Sequence, residues 1–113
     1  LQEIIDRLAA HDPTFKATVK VAFSQQPFEV ARDTQIVQIL DDALGARIGH
    51  HPEHIGQTFW TDAALFAAAG METVLLGPKG HGLHSAEEWV ELASVVDLAH
   101  ILAETAINYC GIS

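Results

Sequence analysis

The residues best suited to chemistry lie in the stretch METVLLGPKGHGLHSAEEWVEL, residues 71–92. An apolar run ends at Gly77, and His81, His84 and Glu88 follow it on a glycine-rich segment. Neutral imidazole is the commonest protein ligand for zinc, and glycine lets the backbone approach a ligand closely. His84 is therefore a candidate metal ligand, and His81 is a weaker second candidate.

The same stretch also has a purely structural interpretation. Ser85, followed three residues later by Glu88, matches a capping box, in which both side chains bond the backbone at a helix start. Two histidines without further ligands in register indicate a metal site only weakly, because a catalytic zinc needs about three protein ligands. Judged on spacing alone, the segment is better interpreted as a helix start.

The helices that would position this loop follow from the spacing of apolar residues. One apolar face is formed by Leu1, Ile4, Ile5 and Leu8, and Pro13 marks the end of that helix. A second helix is predicted from a cap at Asp33 to about Gly45, and a third from Asp62 to Gly70. A last helix is predicted to begin with a capping-box-like segment at Ser94 and to continue nearly to the end of the chain.

Two strands are predicted between these helices. Residues 15–23, FKATVKVAF, alternate apolar and polar side chains, which is typical of a strand with one face in water. Residues 73–78, TVLLGP, form a short apolar run suited to a strand covered on both faces. A change from the first pattern to the second predicts a domain boundary near residues 27–33. Ligand sites in α/β layers gather beyond the carboxyl ends of strands, where residues 77–88 would lie.

Composition limits the classes of partner. Fifteen acidic residues against six basic ones give a formal charge of −9, which would repel a phosphate backbone, so we expect no nucleic-acid partner. No apolar segment approaches the roughly 20 residues of a membrane span, so we expect no membrane partner. A single cysteine, Cys110, fits a reducing compartment and is expected to pack in the core.

Residues 56–95, GQTFWTDAALFAAAGMETVLLGPKGHGLHSAEEWVELASV, carry a more specific signal. They contain a Thr-Asp-Ala segment at 61–63, a small-residue helix ending in glycine, a strand ending in Gly-Pro, and a His-Ser-x-x-Glu-Trp-Val motif at 84–90. This arrangement resembles the closing portion of the zinc-dependent amidohydrolase and exopeptidase family. Members include acetylornithine deacetylase, succinyl-diaminopimelate desuccinylase and the glutamate-releasing carboxypeptidases.

The resemblance implies roles for particular residues. His84 would be the last ligand of a site that holds two zinc ions, with cobalt or manganese as possible working metals. Glu88 would support the metal or order the loop, and Thr61, Asp62 and Gly82 are further candidates for positions near the metal or substrate. His81 would be an ordinary loop residue. The other zinc ligands and the catalytic glutamate of the family precede this segment, so no catalytic residue is expected in this chain.

The resemblance also implies the fold class. We expect an α/β fold in which residues 31–113 are the C-terminal segment of a zinc-exopeptidase-like catalytic domain. Residues 1–30, a helix and a strand with one wet face, would be the end of an α+β lid and dimerisation domain. Because Leu1 already belongs to a helical pattern, we expect the chain to be part of a longer protein.

The parent protein would be a cytoplasmic, homodimeric hydrolase that cleaves the amide bond of an N-acyl amino acid or small peptide. Phe59 and Trp60 stand where other members carry small residues, and this departure favours deacetylase-like over desuccinylase-like members. The 113-residue chain alone is expected to be inactive.

Two alternatives remain at this point. The chain could be a non-catalytic fragment or an interaction and dimerisation module, or a generic α/β ligand-binding domain. A His-x-Asp pair and a Glu-Glu dipeptide upstream of Leu1 would favour the enzyme.

Overall fold

A computed structural model describes residues 1–111 of the chain. Helix dominates its regular structure, and the strands form one small two-stranded sheet. In chain order the elements are α1 (Gln2–His11), α2 (Gln35–Ile48), α3 (Ala63–Ala68), β1 (Gly80–His81), β2 (Trp89–Val90) and α4 (Leu92–Cys110).

The core lies where α2 packs against α4. Leu40 and Ala43 of α2 meet Ile101 of α4, and half-buried Leu44 and Val74 pack against this cluster. Spacings of three and four residues put the α2 side chains on one helix face, as the apolar pattern predicts. These contacts hold α2, α4 and the segment around Val74 together.

Polar contacts reinforce the pairing of α2 and α4. Arg47 donates from Nε to a carboxylate oxygen of Asp97 at 2.7 Å. The Glu72 carboxylate accepts from the Ile36 backbone N–H at 2.9 Å and from the Tyr109 hydroxyl at 3.3 Å. Glu72 thus caps the N-terminus of α2 from a distant segment and ties it to α4.

Helix α1 forms where the sequence predicts it, yet contributes nothing to this core. None of its residues, Gln2 to His11, is buried. The chain has a radius of gyration of 20.7 Å, whereas a compact domain of this size has a value of about 13 Å. The molecule is therefore extended.

The predicted strand over residues 15–23 is wrong for this structure. That segment has no regular secondary structure, and Val21 and Phe23 are 77% and 75% exposed. A strand needs a neighbour to accept and donate its backbone hydrogen bonds, and the described residues supply none beside this segment.

The second predicted strand, residues 73–78, is also not formed. Val74 is half-buried against the core, but Leu75 and Leu76 are 49% and 37% exposed, and the segment has no ladder partner in the part of the chain that is described. The structure therefore contains the helices of the expected α/β fold, but the two strands predicted for its sheet do not form.

The boundaries of α2, α3 and α4 also differ from prediction. Helix α3, predicted from Asp62 to Gly70, spans Ala63–Ala68. Helix α2 is preceded by Thr34 rather than Asp33 and continues through Gly45 to Ile48, because Gly49, with φ of 79°, ends it. Helix α4 begins at Leu92, before the predicted Ser94, and Cys110 at its end is exposed rather than packed in the core. Within residues 1–111, no helix has the length and apolar character required to cross a membrane.

Candidate functional site

His84 lies in a hairpin that the sequence did not reveal. Strands β1 and β2 pair antiparallel, with Gly80 opposite Val90 and His81 opposite Trp89. The rings of His81 and Trp89 lie 6.4 Å apart between centroids and tilt by 36°. His81 is therefore a strand residue with a cross-strand aromatic neighbour rather than the expected loop residue, and its lack of a role at the metal stays a prediction.

Two glycines allow the hairpin backbone to close tightly. A Cβ atom on Gly80 would overlap the carbonyl oxygen of Trp89, and one on Gly82 would overlap that of Glu87. Gly82 also has a φ of 77°, in the region that favours glycine. The close approach these glycines permit is therefore between the two arms of the hairpin.

The backbone at His84 is held by Glu88. His84 has a φ of 61°, in the left-handed region that few side chains adopt, and its N–H donates to a Glu88 carboxylate oxygen at 3.2 Å. Ser85 donates its N–H to the Gly82 carbonyl at 2.8 Å. The predicted capping box is thus wrong as a helix start, because the segment is a turn, although Glu88 does reach back to a backbone N–H.

The imidazole of His84 is exposed, and its ring nitrogens make no hydrogen bond to any described residue. A neutral imidazole in this state has a lone pair available to a metal ion. Over residues 1–111, however, no three His, Cys, Asp or Glu residues come close enough together to hold a metal. Within these residues His84 therefore has no neighbours with which it could complete a metal site.

The base of the hairpin is joined to α4. Glu91, just before α4, donates its N–H to the Lys79 carbonyl at 2.8 Å. Lys79 donates its own N–H to the Ser94 hydroxyl at 3.0 Å, and that hydroxyl donates to the Glu91 carbonyl at 2.7 Å. The contact between Ser94 and Lys79 spans fifteen positions, and no sequence motif signalled it.

Thr61 and Asp62 lie at the start of α3, away from the hairpin. Thr61 accepts the Ala63 N–H on its hydroxyl at 3.3 Å, whereas the exposed Asp62 side chain makes no capping bond. Thr61 also lines an open cleft of about 1130 Å³, together with Phe59 and Trp60. That cleft is not lined by His84, Glu88 or Gly82, so the structure does not bring the two groups of candidate residues together.

A second polar contact near this cleft was not anticipated from the sequence. His54 Nε2 lies 2.8 and 2.9 Å from the two carboxylate oxygens of Asp41 on α2. The pair fastens the loop between α2 and α3 to the helix. Thirteen positions separate the two residues, so only the folded chain reveals the contact.

A family model, that of peptidase family M20/M25/M40, matches residues 4–108. Because this match covers nearly the whole chain, the chain belongs to that family, which confirms the predicted resemblance. The family is metal-dependent.

Curated relatives are similar at a distant level. The chain is 27% identical over 112 residues to an acetylornithine deacetylase of Myxococcus xanthus, covering 98% of this chain and 28% of that protein. It is 29% identical over 92 residues to a succinyl-diaminopimelate desuccinylase of a Nitratiruptor species, covering 81% and 25%. A desuccinylase of Nautilia profundicola is 28% identical over 103 residues, covering 91% and 28%.

These matches show how much of a relative's length the chain covers, but they do not identify its substrate. The chain spans about a quarter of the length of the curated relatives it matches. Identities of 27% to a deacetylase and of 28% and 29% to desuccinylases do not separate the two substrate types, so the preference drawn from Phe59 and Trp60 stays a prediction. No solved structure matches the chain significantly.

Proposed function

We propose that the chain is the C-terminal part of a metal-dependent hydrolase that cleaves the amide bond of an N-acyl amino acid or small peptide, with His84 as its metal ligand. Membership of residues 4–108 in the peptidase family supports the class of reaction. The exposed His84 imidazole on an ordered turn carries the assignment of the ligand. Names of the relatives, deacetylase and desuccinylase, support an acyl group on an amino acid as the substrate.

Zinc, cobalt or manganese bound at such a site would polarise the scissile carbonyl and supply an activated water. His84 would contribute one neutral imidazole nitrogen. Glu88 acts on the backbone, since its carboxylate holds the His84 N–H and so fixes the turn from which the ring projects. Gly82 permits the close turn on the other side. These contacts support a role for Glu88 and Gly82 in ordering the ligand rather than in binding metal.

Thr61 and Asp62 are proposed to lie near the substrate. Thr61 lines the open cleft next to Trp60, whose side chain is 42% exposed. An exposed aromatic surface beside a hydroxyl suits an acyl amino acid with an apolar portion. The preference for deacetylase-like substrates belongs to the same proposal.

Residues 1–30 are proposed to be the end of a lid and dimerisation domain, and residues 31–113 the C-terminal segment of the catalytic domain. Leu1, Ile4 and Leu8 of the first segment are 84%, 47% and 46% exposed along one helical face. An amphipathic face without an intramolecular partner suits contact with the remainder of such a domain or with a second subunit. Because it supplies one ligand, the chain alone is proposed to be inactive.

The experiment compares His84→Ala with His81→Ala in the full-length parent protein. Zinc content after dialysis, the zinc dissociation constant from chelator competition, and hydrolysis of N-acetyl and N-succinyl amino acids are measured. His84→Ala should lose tight metal binding and hydrolysis, whereas His81→Ala should keep both, because His81 is paired with Trp89.

Retention of metal and turnover by His84→Ala would overturn the assignment of the ligand. Absence of hydrolysis and zinc binding in the unmodified parent protein would instead favour the interaction module. Tight one-to-one zinc binding by the 113-residue chain alone would mean that a complete site forms without the parent.

A further inference from the structure

Ser94 occupies an unusual position between the hairpin and the packed helix. Its hydroxyl accepts the Lys79 N–H at 3.0 Å and donates to the Glu91 carbonyl at 2.7 Å, with the Lys79 carbonyl at 3.4 Å. Lys79 directly precedes β1, and Glu91 directly follows β2. One side chain therefore contacts both ends of the hairpin that carries His84.

This contact matters because the hairpin is weak by itself. Each strand has two residues, and an isolated two-stranded hairpin is marginally stable in water. Helix α4, in contrast, is anchored in the core through Ile101. Through its hydroxyl, Ser94 joins the base of the hairpin to this anchored helix.

The neighbouring ion pair is a poor substitute for this contact. Lys79 Nζ lies 3.3 Å from a carboxylate oxygen of Glu91, but the side chains are 78% and 47% exposed. Exposed pairs of this kind contribute about 0–1 kcal/mol, since water screens the charges and two long side chains must be ordered. Ser94 as a whole is half-buried, and its hydroxyl bonds backbone groups of fixed geometry.

We infer that Ser94 is a positioning residue for the metal centre: it sets the orientation of the His84 hairpin relative to α4 and thereby the affinity for metal. This inference rests on the proposed function, since it takes His84 as a metal ligand. Groups that orient metal ligands without touching the metal change metal affinity by about 10–100-fold when removed.

The test uses the full-length parent protein and measures the zinc dissociation constant by competition with a chelator. Ser94→Ala should weaken zinc binding by about 10-fold or more. Ser94→Thr retains a hydroxyl on the same helix face and should restore binding close to that of the unsubstituted protein. Lys79→Ala is the matched control, because it removes the ion pair but keeps the backbone N–H, and its zinc affinity should be unchanged.

A double variant separates positioning from general destabilisation. With His84 replaced by alanine, the further change Ser94→Ala should have no additional effect on zinc affinity, because the ligand it orients is gone. An equal loss in both backgrounds would show a merely structural role and overturn the inference. If Ser94→Ala does not fold, Lys79→Pro is measured instead, since it deletes the donor N–H without altering α4.

The two proposals fail in different ways. Unchanged zinc affinity in His84→Ala would remove the proposed ligand and this inference with it. Loss of affinity in His84→Ala, combined with unchanged affinity in Ser94→Ala and Lys79→Pro, would overturn the role of Ser94 alone.

Discussion

Residues 1–30 and residues 31–111 contain similar apolar residues, but only the second region buries any of them. In the first region, α1 has no buried residue and the alternating segment after it is exposed. In the second, α2 and α4 bury Leu40, Ala43 and Ile101 against one another. An apolar pattern therefore specifies a face, but burial follows only where a second element is present to cover it.

The comparison also separates helices from strands. A helix satisfies most of its backbone hydrogen bonds internally, so α1 forms without packing, whereas a strand depends on a neighbour. Both strands predicted from their apolar patterns, one in each region, are unpaired in the described residues. The strands that do form, β1 and β2, lie close in sequence, with residues 82–88 between them.

The largest difference between the regions should appear when the same substitution is made in each. Leu40→Ala removes a side chain that is 6% exposed, and Leu8→Ala removes one that is 46% exposed. The first should lower the free energy of unfolding by about 2–5 kcal/mol, because it leaves a cavity in the core. The second should change it by no more than about 0.5 kcal/mol. Urea unfolding of this chain, followed by circular dichroism, measures both.

Similar losses for Leu40→Ala and Leu8→Ala would contradict the comparison. They would mean that α1 is covered in solution, as pairing with a second copy of the chain would require. Sedimentation of the unsubstituted chain at several concentrations distinguishes that case.

A smaller effect is expected at Glu72, which caps α2 and contacts Tyr109. Glu72→Ala should cost about 0.5–2 kcal/mol of stability, the usual range for a lost helix cap. Partial burial, and then the Glu72 charge, raise the pKa of Tyr109 above its ordinary value of 10.0. Glu72→Gln should therefore bring that pKa down towards 10.0 in a spectrophotometric titration.

The raised pKa of Tyr109 also determines how its contribution to folding stability changes with pH. Folding favours the neutral phenol, so this contribution to stability is complete below pH 10.0 and is lost as the pH rises through the folded-state pKa. An unchanged Tyr109 titration in Glu72→Gln would contradict the contact. Tyr109→Phe, which lacks the titrating group, is the control.

The smallest effect is expected in the first region, at the end of α1. The Thr14 hydroxyl donates to an Asp12 carboxylate oxygen at 2.7 Å, and the Thr14 N–H donates to the same oxygen at 2.8 Å. The hydroxyl bond, followed by the backbone bond, lowers the pKa of Asp12 below 3.8. Thr14→Val should raise that pKa towards 3.8 in an NMR titration.

The sign for Asp12 is opposite to that for Tyr109. Because the pKa of Asp12 is lowered on folding, the contribution of this carboxylate to stability is present above pH 3.8. It is lost as the pH falls through the folded-state pKa. Because Asp12 is exposed and α1 is not packed, acid should loosen the turn after α1 without shifting the unfolding midpoint of α2 and α4. A shift of that midpoint reversed by Thr14→Val would show that the two regions are coupled.

Much of the candidate site could be proposed from the sequence, but its geometry could not. The family motif singled out His84 and Glu88, and the structure places the Glu88 carboxylate on the His84 backbone. Apolar spacing and capping signals located the four helices of residues 1–111, with errors at their ends. Contacts of Ser94 with Lys79, and of Asp41 with His54, join residues far apart in sequence, and no local pattern encodes them.

The sequence by itself determined the family, the helices and the residue proposed to bind metal, because periodicity, capping and motif spacing are local properties. The tertiary structure alone decided which apolar faces are buried and which predicted strands form, because both depend on a second surface. It also decided how the His84 turn is held, since Glu88, Ser94 and the packed α4 act on it together through backbone hydrogen bonds.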